Sequence, residues 1–66
     1  MMYYATLHFS VDGIPYSTLL RFPNRVAAIA FTERCDASIA VRVVDSRGLR
    51  SYEKAMGRDG RYLEAG

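Results

Sequence analysis

The chain has a single cysteine, a single histidine and no tryptophan, and this scarcity excludes several kinds of protein. Cys35 has no second cysteine to pair with, so we expect a protein of a reducing cytoplasm. One histidine and one cysteine fall short of the three or four convergent ligands of a metal site. The longest apolar run, Val26 to Phe31, is far below the roughly 20 residues that a membrane helix needs.

Motifs for catalysis are also absent from the sequence. No glycine-rich loop follows a strand and opens a helix, so neither common nucleotide-binding pattern is present. His8 has no carboxylate within two residues to orient it, and the seven acidic residues are dispersed. We therefore predict no catalytic residue, no metal site and no cofactor. The expectation is a binding protein that acts through its surface.

What the sequence does contain begins with two runs of alternating polarity. Residues 3–11 place apolar side chains at every second position, and residues 14–22 repeat this period, which is typical of half-buried strands. Between them stands Asp12-Gly13, a favoured two-residue hairpin turn because both positions tolerate positive φ. Pro15 lacks an amide donor, so it belongs at the start of a strand or on an edge.

A helix is predicted from Arg25 to about Cys35. Asn24 precedes it as an N-cap, and the segment is rich in alanine. On a helical wheel the apolar stripe comprises Val26, Ala27, Ala30 and Phe31, with Ile29 at its margin. The opposite face, with Arg25, Thr32 and Glu33, is expected to meet water.

The C-terminal part of the chain continues with strands and turns. Residues 38–45 alternate as a third strand, and the run Asp45 to Gly48 is typical of a tight turn. Residues 49–55 fit a strand or a short helix, and the preceding turn favours a strand. A second Asp-Gly turn, Asp59-Gly60, precedes a candidate last strand over residues 62–64.

These elements predict one α+β domain over residues 1–66. A single amphipathic helix buries its stripe against one face of a small, mainly antiparallel sheet, in the order β-β-α-β-β with a short fifth strand as an option. The other face of the sheet remains open. The predicted core comprises Ala5, Leu7, Phe9, Val11, Tyr16, Leu20, Phe22, Val26, Ala30, Phe31, Ile39, Val41 and Val43.

Arginine dominates the positive charge, and it is concentrated in the C-terminal third. Eight of the nine basic residues are Arg, and six basic residues lie between Arg42 and Arg61 against three acids. Arg and Tyr are enriched at protein interfaces and also suit contacts with phosphates and bases. The predicted partner-binding residues are Arg47, Arg50, Tyr52, Lys54, Arg58, Arg61 and Tyr62. An ordinary solvated surface is the competing interpretation.

The open sheet face is a second candidate surface. The alternation of the strands assigns to it Tyr4, Thr6, His8, Leu19, Arg42 and Val44. A tyrosine and two aliphatic residues among polar ones are compatible with a modest interface. Scattered exposed residues, which are common on protein surfaces, are the competing interpretation.

Residues 22–62 resemble a group of small phage-encoded anti-CRISPR proteins, the compact α/β inhibitors of type I Cascade complexes. The likeness is carried by a helix ending near Arg34-Cys35, the strand Val41 to Val44, the turn closing on Gly48, and the run Arg58-Asp59-Gly60-Arg61-Tyr62. The resemblance implies inhibition by occupancy of the surface that receives target DNA. It also implies contacts by the basic side chains Arg47, Arg50, Lys54, Arg58 and Arg61.

Three functions therefore stand as hypotheses. The first is a protein-binding inhibitor of a CRISPR effector complex, with direct DNA contact as an additional option. The second is a small nucleic-acid-binding or regulatory domain, and the third is an antitoxin-like module that folds fully as a homodimer. The sequence leaves monomer and homodimer open, and it predicts no association with a membrane.

Overall fold

The computed structural model describes residues 2–63, which form five strands and one helix. The elements are β1 (Tyr3–Val11), β2 (Ile14–Phe22), α1 (Arg25–Arg34), β3 (Ala40–Asp45), β4 (Arg50–Lys54) and β5 (Arg61–Tyr62). The strands form one antiparallel sheet in the order β2-β1-β3-β4-β5. Helix α1 packs on one face of β1, β2 and β3. The predicted two-layer α+β architecture is confirmed, including the fifth strand.

Local signals in the sequence give the first hairpin turn, the β3–β4 turn and the helix start as predicted. The turn before β5 differs, because its positive φ of 70° is at Gly57 and not in the predicted Asp59-Gly60 turn. Asp12 and Gly13 both have positive φ, 52° and 79°, and they join β1 to β2 with Val11 opposite Ile14. Gly48 has a φ of 83° in the turn between β3 and β4. The side chain of Asn24 caps α1 by accepting a hydrogen bond from the Ala27 amide at 2.9 Å. Short-range chemistry is sufficient to fix these features.

Several element boundaries differ by one or two residues from the prediction. The third strand begins at Ala40 instead of residue 38, because Asp36 accepts hydrogen bonds from both the amide and the hydroxyl of Ser38 and holds a turn there. Helix α1 ends at Arg34. The last strand is Arg61–Tyr62, and Glu64, which was predicted to extend it, lies outside the described residues.

The orientation of α1 differs from the prediction. Ala28, Ile29 and Thr32 are buried, whereas Val26 is 78% exposed and Ala30 is also exposed. Thr32 can be buried because its hydroxyl donates a hydrogen bond to the Ala28 carbonyl at 2.9 Å and so needs no water. Ala28 is also fully buried, in the core cluster between the helix and the sheet. The predicted stripe through Val26 and Ala30 is therefore wrong.

The end of the β1–β2 hairpin extends beyond the helix. Nine-residue strands span about 30 Å, and a ten-residue helix spans only about 15 Å. Val11 and Tyr16, which the sequence assigned to the core, are consequently exposed, as is Ile14. The buried apolar residues are Ala5, Leu7, Ala28, Ile29, Val41, Val43 and Tyr52, and the partly buried residues packed against them include Phe9, Leu20, Phe22, Phe31 and Ile39.

Candidate partner-binding surface

The helix-free face is the side of the sheet opposite α1, and the strand register defines its composition. Residues that lie opposite each other in an antiparallel sheet point to the same side. One row crosses all five strands and consists of Leu19, Thr6, Arg42, Glu53 and Arg61. A second row consists of Arg21, Tyr4, Val44 and Arg50, and a third of Ser17, His8 and Ala40. The face therefore presents four arginines and one glutamate.

Glu53 lies at the centre of an arginine cluster, which we define as Arg42, Arg50 and Arg61. Its carboxylate accepts hydrogen bonds from Nη2 and Nε of Arg61 at 2.6 and 3.1 Å. The hydrogen bond with Arg61 is the main reason that the pKa of Glu53 is lowered, against a smaller opposing effect of desolvation. The charges of all three arginines lower this pKa further, so all three guanidinium groups are near enough to act on one carboxylate.

One carboxylate cannot neutralise three guanidinium groups. Arg61 is engaged by Glu53, whereas Arg42 and Arg50 form no ion pair within residues 2–63. Both side chains belong to exposed residues. Their forked donors are available to a carboxylate or phosphate of a partner.

A β-bulge in β4 puts Arg50 on the helix-free face. Tyr52 lies opposite Val43, but Arg50 lies opposite Val44, so Ser51 is an extra residue on this strand. In an unbroken strand, residues 50 and 52 share a side. The bulge separates them, and it leaves Tyr52 in the core while Arg50 joins the arginine cluster.

Only two of the seven predicted binding residues lie on the helix-free face, namely Arg50 and Arg61. Tyr52 is 4% exposed and belongs to the core, so its side chain is not available to a partner. Tyr62 is 64% exposed but lies on the helix side, where its ring packs edge-on against Tyr52 and beneath the Arg25 guanidinium, 5.3 Å from the ring centre.

The other three predicted residues also lie elsewhere. Arg47 binds Asp45 within the β3–β4 turn at 3.2 Å. Lys54 is half-buried, and its Nζ donates to the carbonyls of Cys35, Asp36 and Ile39, so it closes the loop after α1. Arg58 is exposed in the turn before β5. The structure does not bring the seven residues together as one surface.

The second candidate surface of the sequence analysis corresponds better to the structure. The register confirms that Tyr4, Thr6, His8, Leu19, Arg42 and Val44 share the helix-free face. The predicted surface did not include Arg21, although alternation along β2 puts Arg21 on the same side as Ser17 and Leu19. Combining the strand alternation with the hairpin register would have identified it.

Cys35 has the environment of a structural thiol. It is half-buried, and its Sγ donates a hydrogen bond to the Phe31 carbonyl at 3.4 Å. Burial raises the pKa of this thiol, and the nearby charge of Lys54 only partly opposes that effect. The thiol is therefore mostly protonated at neutral pH, which is the less nucleophilic form.

Comparisons with known proteins place the chain in no family. No family model matches it, and neither a curated protein nor a solved structure gives a significant match. Across residues 2–63, no helix is long and apolar enough to cross a membrane. In the same part of the chain, no group of three or more His, Cys, Asp or Glu side chains is placed to hold a metal ion.

Proposed function

We propose that this protein acts by binding an acidic surface of a protein partner with its helix-free face, and that it performs no catalysis. The observation that carries the proposal is the arginine cluster around Glu53. Arg42 and Arg50 are the principal contacts, and Arg21 and Arg61 flank them in the same two rows of the sheet. The side chains that the cluster suits best are carboxylates, which accept two parallel hydrogen bonds from a guanidinium.

The composition of the face favours a protein over a nucleic acid. Sheets that bind single strands stack several bases on aromatic side chains, and within residues 2–63 this face has two such side chains, the half-buried Tyr4 and the exposed His8. Leu19 is 60% exposed on the same face and Val44 is half-buried beside Arg50. A mixture of arginine, tyrosine and aliphatic residues is typical of protein interfaces.

The specific partner that we propose is a type I CRISPR effector complex in a bacterial cytoplasm. The support for this identity is the resemblance of residues 22–62 to small anti-CRISPR inhibitors. In this proposal the protein occupies an acidic surface of the complex and thereby blocks the binding of target DNA. Basic residues outside the helix-free face, Arg47 and Arg58, remain candidates for a direct contact with the DNA.

A charge-reversal experiment tests both the surface and the partner. A purified type I effector complex is titrated with target DNA in a gel-shift assay, with and without the protein. We expect wild type to prevent the shift and the double variant Arg42→Glu, Arg50→Glu to require at least about tenfold more protein, a loss of roughly 1.4 kcal/mol.

The matched control is Arg25→Glu with Arg34→Glu, which changes the charge equally on the helix side. We expect it to inhibit like wild type, with thermal melts confirming that both doubles are folded. Equal inhibition by the Arg42/Arg50 double would exclude the helix-free face. Failure of wild type to bind any effector complex tested would remove this partner class and leave the surface to be tested on others.

Nucleic acid is the second candidate ligand, and the excess of positive charge on the helix-free face favours it. Four arginines against one glutamate give this face a net positive charge. Binding of DNA by about four basic contacts should weaken steeply with salt, with a log-log slope of about −3 to −4. A gel-shift titration with DNA alone over several salt concentrations separates this function from binding to an acidic protein.

A further inference from the structure

Strand β2 is a long edge strand whose central residues, 16–20, lack the usual protection. It lies at one end of the sheet, spans nine residues, and most of them are exposed. Between Gly13 and Arg21 it contains no charged residue. The opposite edge, β5, has only two residues and is flanked by charges. Exposed edges normally carry charges, prolines or bulges because their free backbone groups pair readily with another strand. In β2, Pro15 and Arg21 lie near the two ends and leave the middle of the edge open to pairing.

We propose that two copies of this chain pair through their β2 edges in antiparallel orientation, which joins the two five-stranded sheets edge to edge. A second copy is the partner that fits this edge, because the edge is complementary to itself in its backbone and in its side chains. The proposal is independent of the function proposed above.

The hairpin turn determines which backbone groups of β2 face outward. In a two-residue turn with positive φ at both positions, the flanking residues Val11 and Ile14 form a hydrogen-bonded pair. Hydrogen-bonded pairs recur at every second residue, so the even-numbered residues of β2 bond to β1. The amides and carbonyls of Ser17, Leu19 and Arg21 therefore point away from the sheet. The backbone nitrogen of Pro15 also faces this outer side. Its lack of a hydrogen therefore costs no hydrogen bond to β1.

One register uses all the free outward donors of β2 and does not require one from Pro15. It is centred on Leu19, which lies on the two-fold axis and pairs with Leu19 of the second copy. Ser17 then pairs with Arg21 of the second copy, and the reverse. Each of these hydrogen-bonded pairs exchanges two backbone bonds. A register centred on Thr18 would instead set Arg21 against Pro15, which has no amide hydrogen.

The side chains agree with the register centred on Leu19. Two Leu19 side chains, each 60% exposed in the single chain, meet on the helix-free face. On the helix side, Tyr16, which is 48% exposed, lies opposite Phe22 of the second copy. Aromatic pairs across strands stabilise a sheet, and like charges directly opposite destabilise it. Arg21, the single charged residue of β2, lies opposite Ser17 and so meets no like charge.

The size of the contact predicts weak, concentration-dependent association. An edge about 30 Å long and 10–20 Å thick offers roughly 300–600 Å² per copy, which is at or below the low end of specific interfaces. Pairing would also place two arginine clusters on one continuous sheet face. A partner with repeated acidic sites would then be bound by both clusters at once.

A pair of charge variants at the axis tests the proposal by sedimentation equilibrium over a wide range of protein concentrations. We expect the wild-type mass to rise from that of one chain toward that of two. Leu19→Glu and Leu19→Lys each place like charges face to face, so each alone should remain a single chain. An equimolar mixture of the two should associate again, because a residue on the axis then meets the opposite charge.

Val26→Glu is the matched control, since Val26 is a similarly exposed aliphatic residue on the helix. It should associate like wild type, and circular dichroism checks that every variant is folded. A wild type that stays a single chain at all concentrations overturns the proposal. So does association that Val26→Glu abolishes and Leu19→Glu does not. A mixture that fails to associate overturns the register centred on Leu19.

Discussion

At the scale of single residues, Gly60 is the glycine among residues 2–63 at which an added side chain would clash with the core. A Cβ at this position would coincide with the hydroxyl end of the Tyr52 ring. We expect Gly60→Ala to lower the free energy of unfolding by about 1–3 kcal/mol, because the rigid ring has to move within the core. Urea unfolding measures this change.

Tyr52→Phe provides the control for this prediction. It removes the atom nearest to the added Cβ, so the cost of Gly60→Ala should be smaller in the Tyr52→Phe background. Equal costs in both backgrounds would mean that the Tyr52 ring is not the obstacle. The test is a double-mutant cycle, which isolates the coupling between two residues in contact.

Asp45, in the β3–β4 turn, makes the stability of the fold depend on pH in the acidic range. Burial alone would raise its pKa, but hydrogen bonds from the Leu49 and Arg47 amides, the Arg47 side chain and its charge together lower the pKa below the usual value. A lowered folded-state pKa gives stability that is present above the unfolded pKa of about 3.9 and is lost as the pH falls through the folded value.

We therefore expect Asp45→Asn to be less stable than wild type at neutral pH and to approach it in stability as the pH falls below about 4. Urea unfolding at a series of pH values measures the difference between the two proteins. A constant difference at all pH values would show that the Asp45 charge does not contribute.

At the scale of elements, the orientation of α1 can be tested with one pair of truncations. Ile29 is buried, whereas Val26 is exposed. We expect Ile29→Ala to cost about 2–4 kcal/mol and Val26→Ala to stay within about 0.5 kcal/mol. Urea unfolding of both variants measures these costs. The reverse order would restore the orientation that the helical wheel suggests.

Helix α1 shows why an amphipathic pattern is weak evidence for which face of a short, alanine-rich helix is buried. Three alanines and a threonine differ little in the free energy of burial when the hydroxyl is satisfied by the helix backbone, as in Thr32. The face that is buried is then decided by contacts with the sheet, such as Phe31 against Phe22, whose ring centres are 5.3 Å apart. No local rule within residues 25–34 contains that information.

At the scale of the whole molecule, we expect low stability that depends on protein concentration. The core contains few large side chains, and a chain below about 70 residues rarely gains more than about 3–5 kcal/mol from a single core. If the β2 edges pair, the melting temperature should rise with wild-type concentration, since association stabilises the folded state.

Differential scanning calorimetry at several protein concentrations measures this dependence. Leu19→Glu is the control, and its melting temperature should not change with concentration. A wild-type melting temperature that is equally constant would argue against association of the folded chains.

Features that depend on neighbours along the chain could be predicted from the sequence. The alternation of residues 3–11 and 14–22, the Asp12-Gly13 turn and the Asn24 cap predicted the hairpin and the helix start, because these are governed by local dihedral and hydrogen-bond preferences. Strand alternation also predicted which side chains of β1 and β3 share the helix-free face. The α+β architecture followed, since one helix and one half-apolar sheet have few ways to bury their apolar faces.

Three features depend on contacts between distant segments: the orientation of α1, the extent of the hairpin beyond it and the composition of the arginine cluster. The bulge at Ser51 places Arg50 on the face opposite Tyr52. One extra residue in a strand reverses the face to which the residues beyond it point. Arg42, Arg50 and Arg61 lie around Glu53 because three strands pair in one register. That register depends on contacts between segments distant in sequence, which spacing within any one segment does not encode.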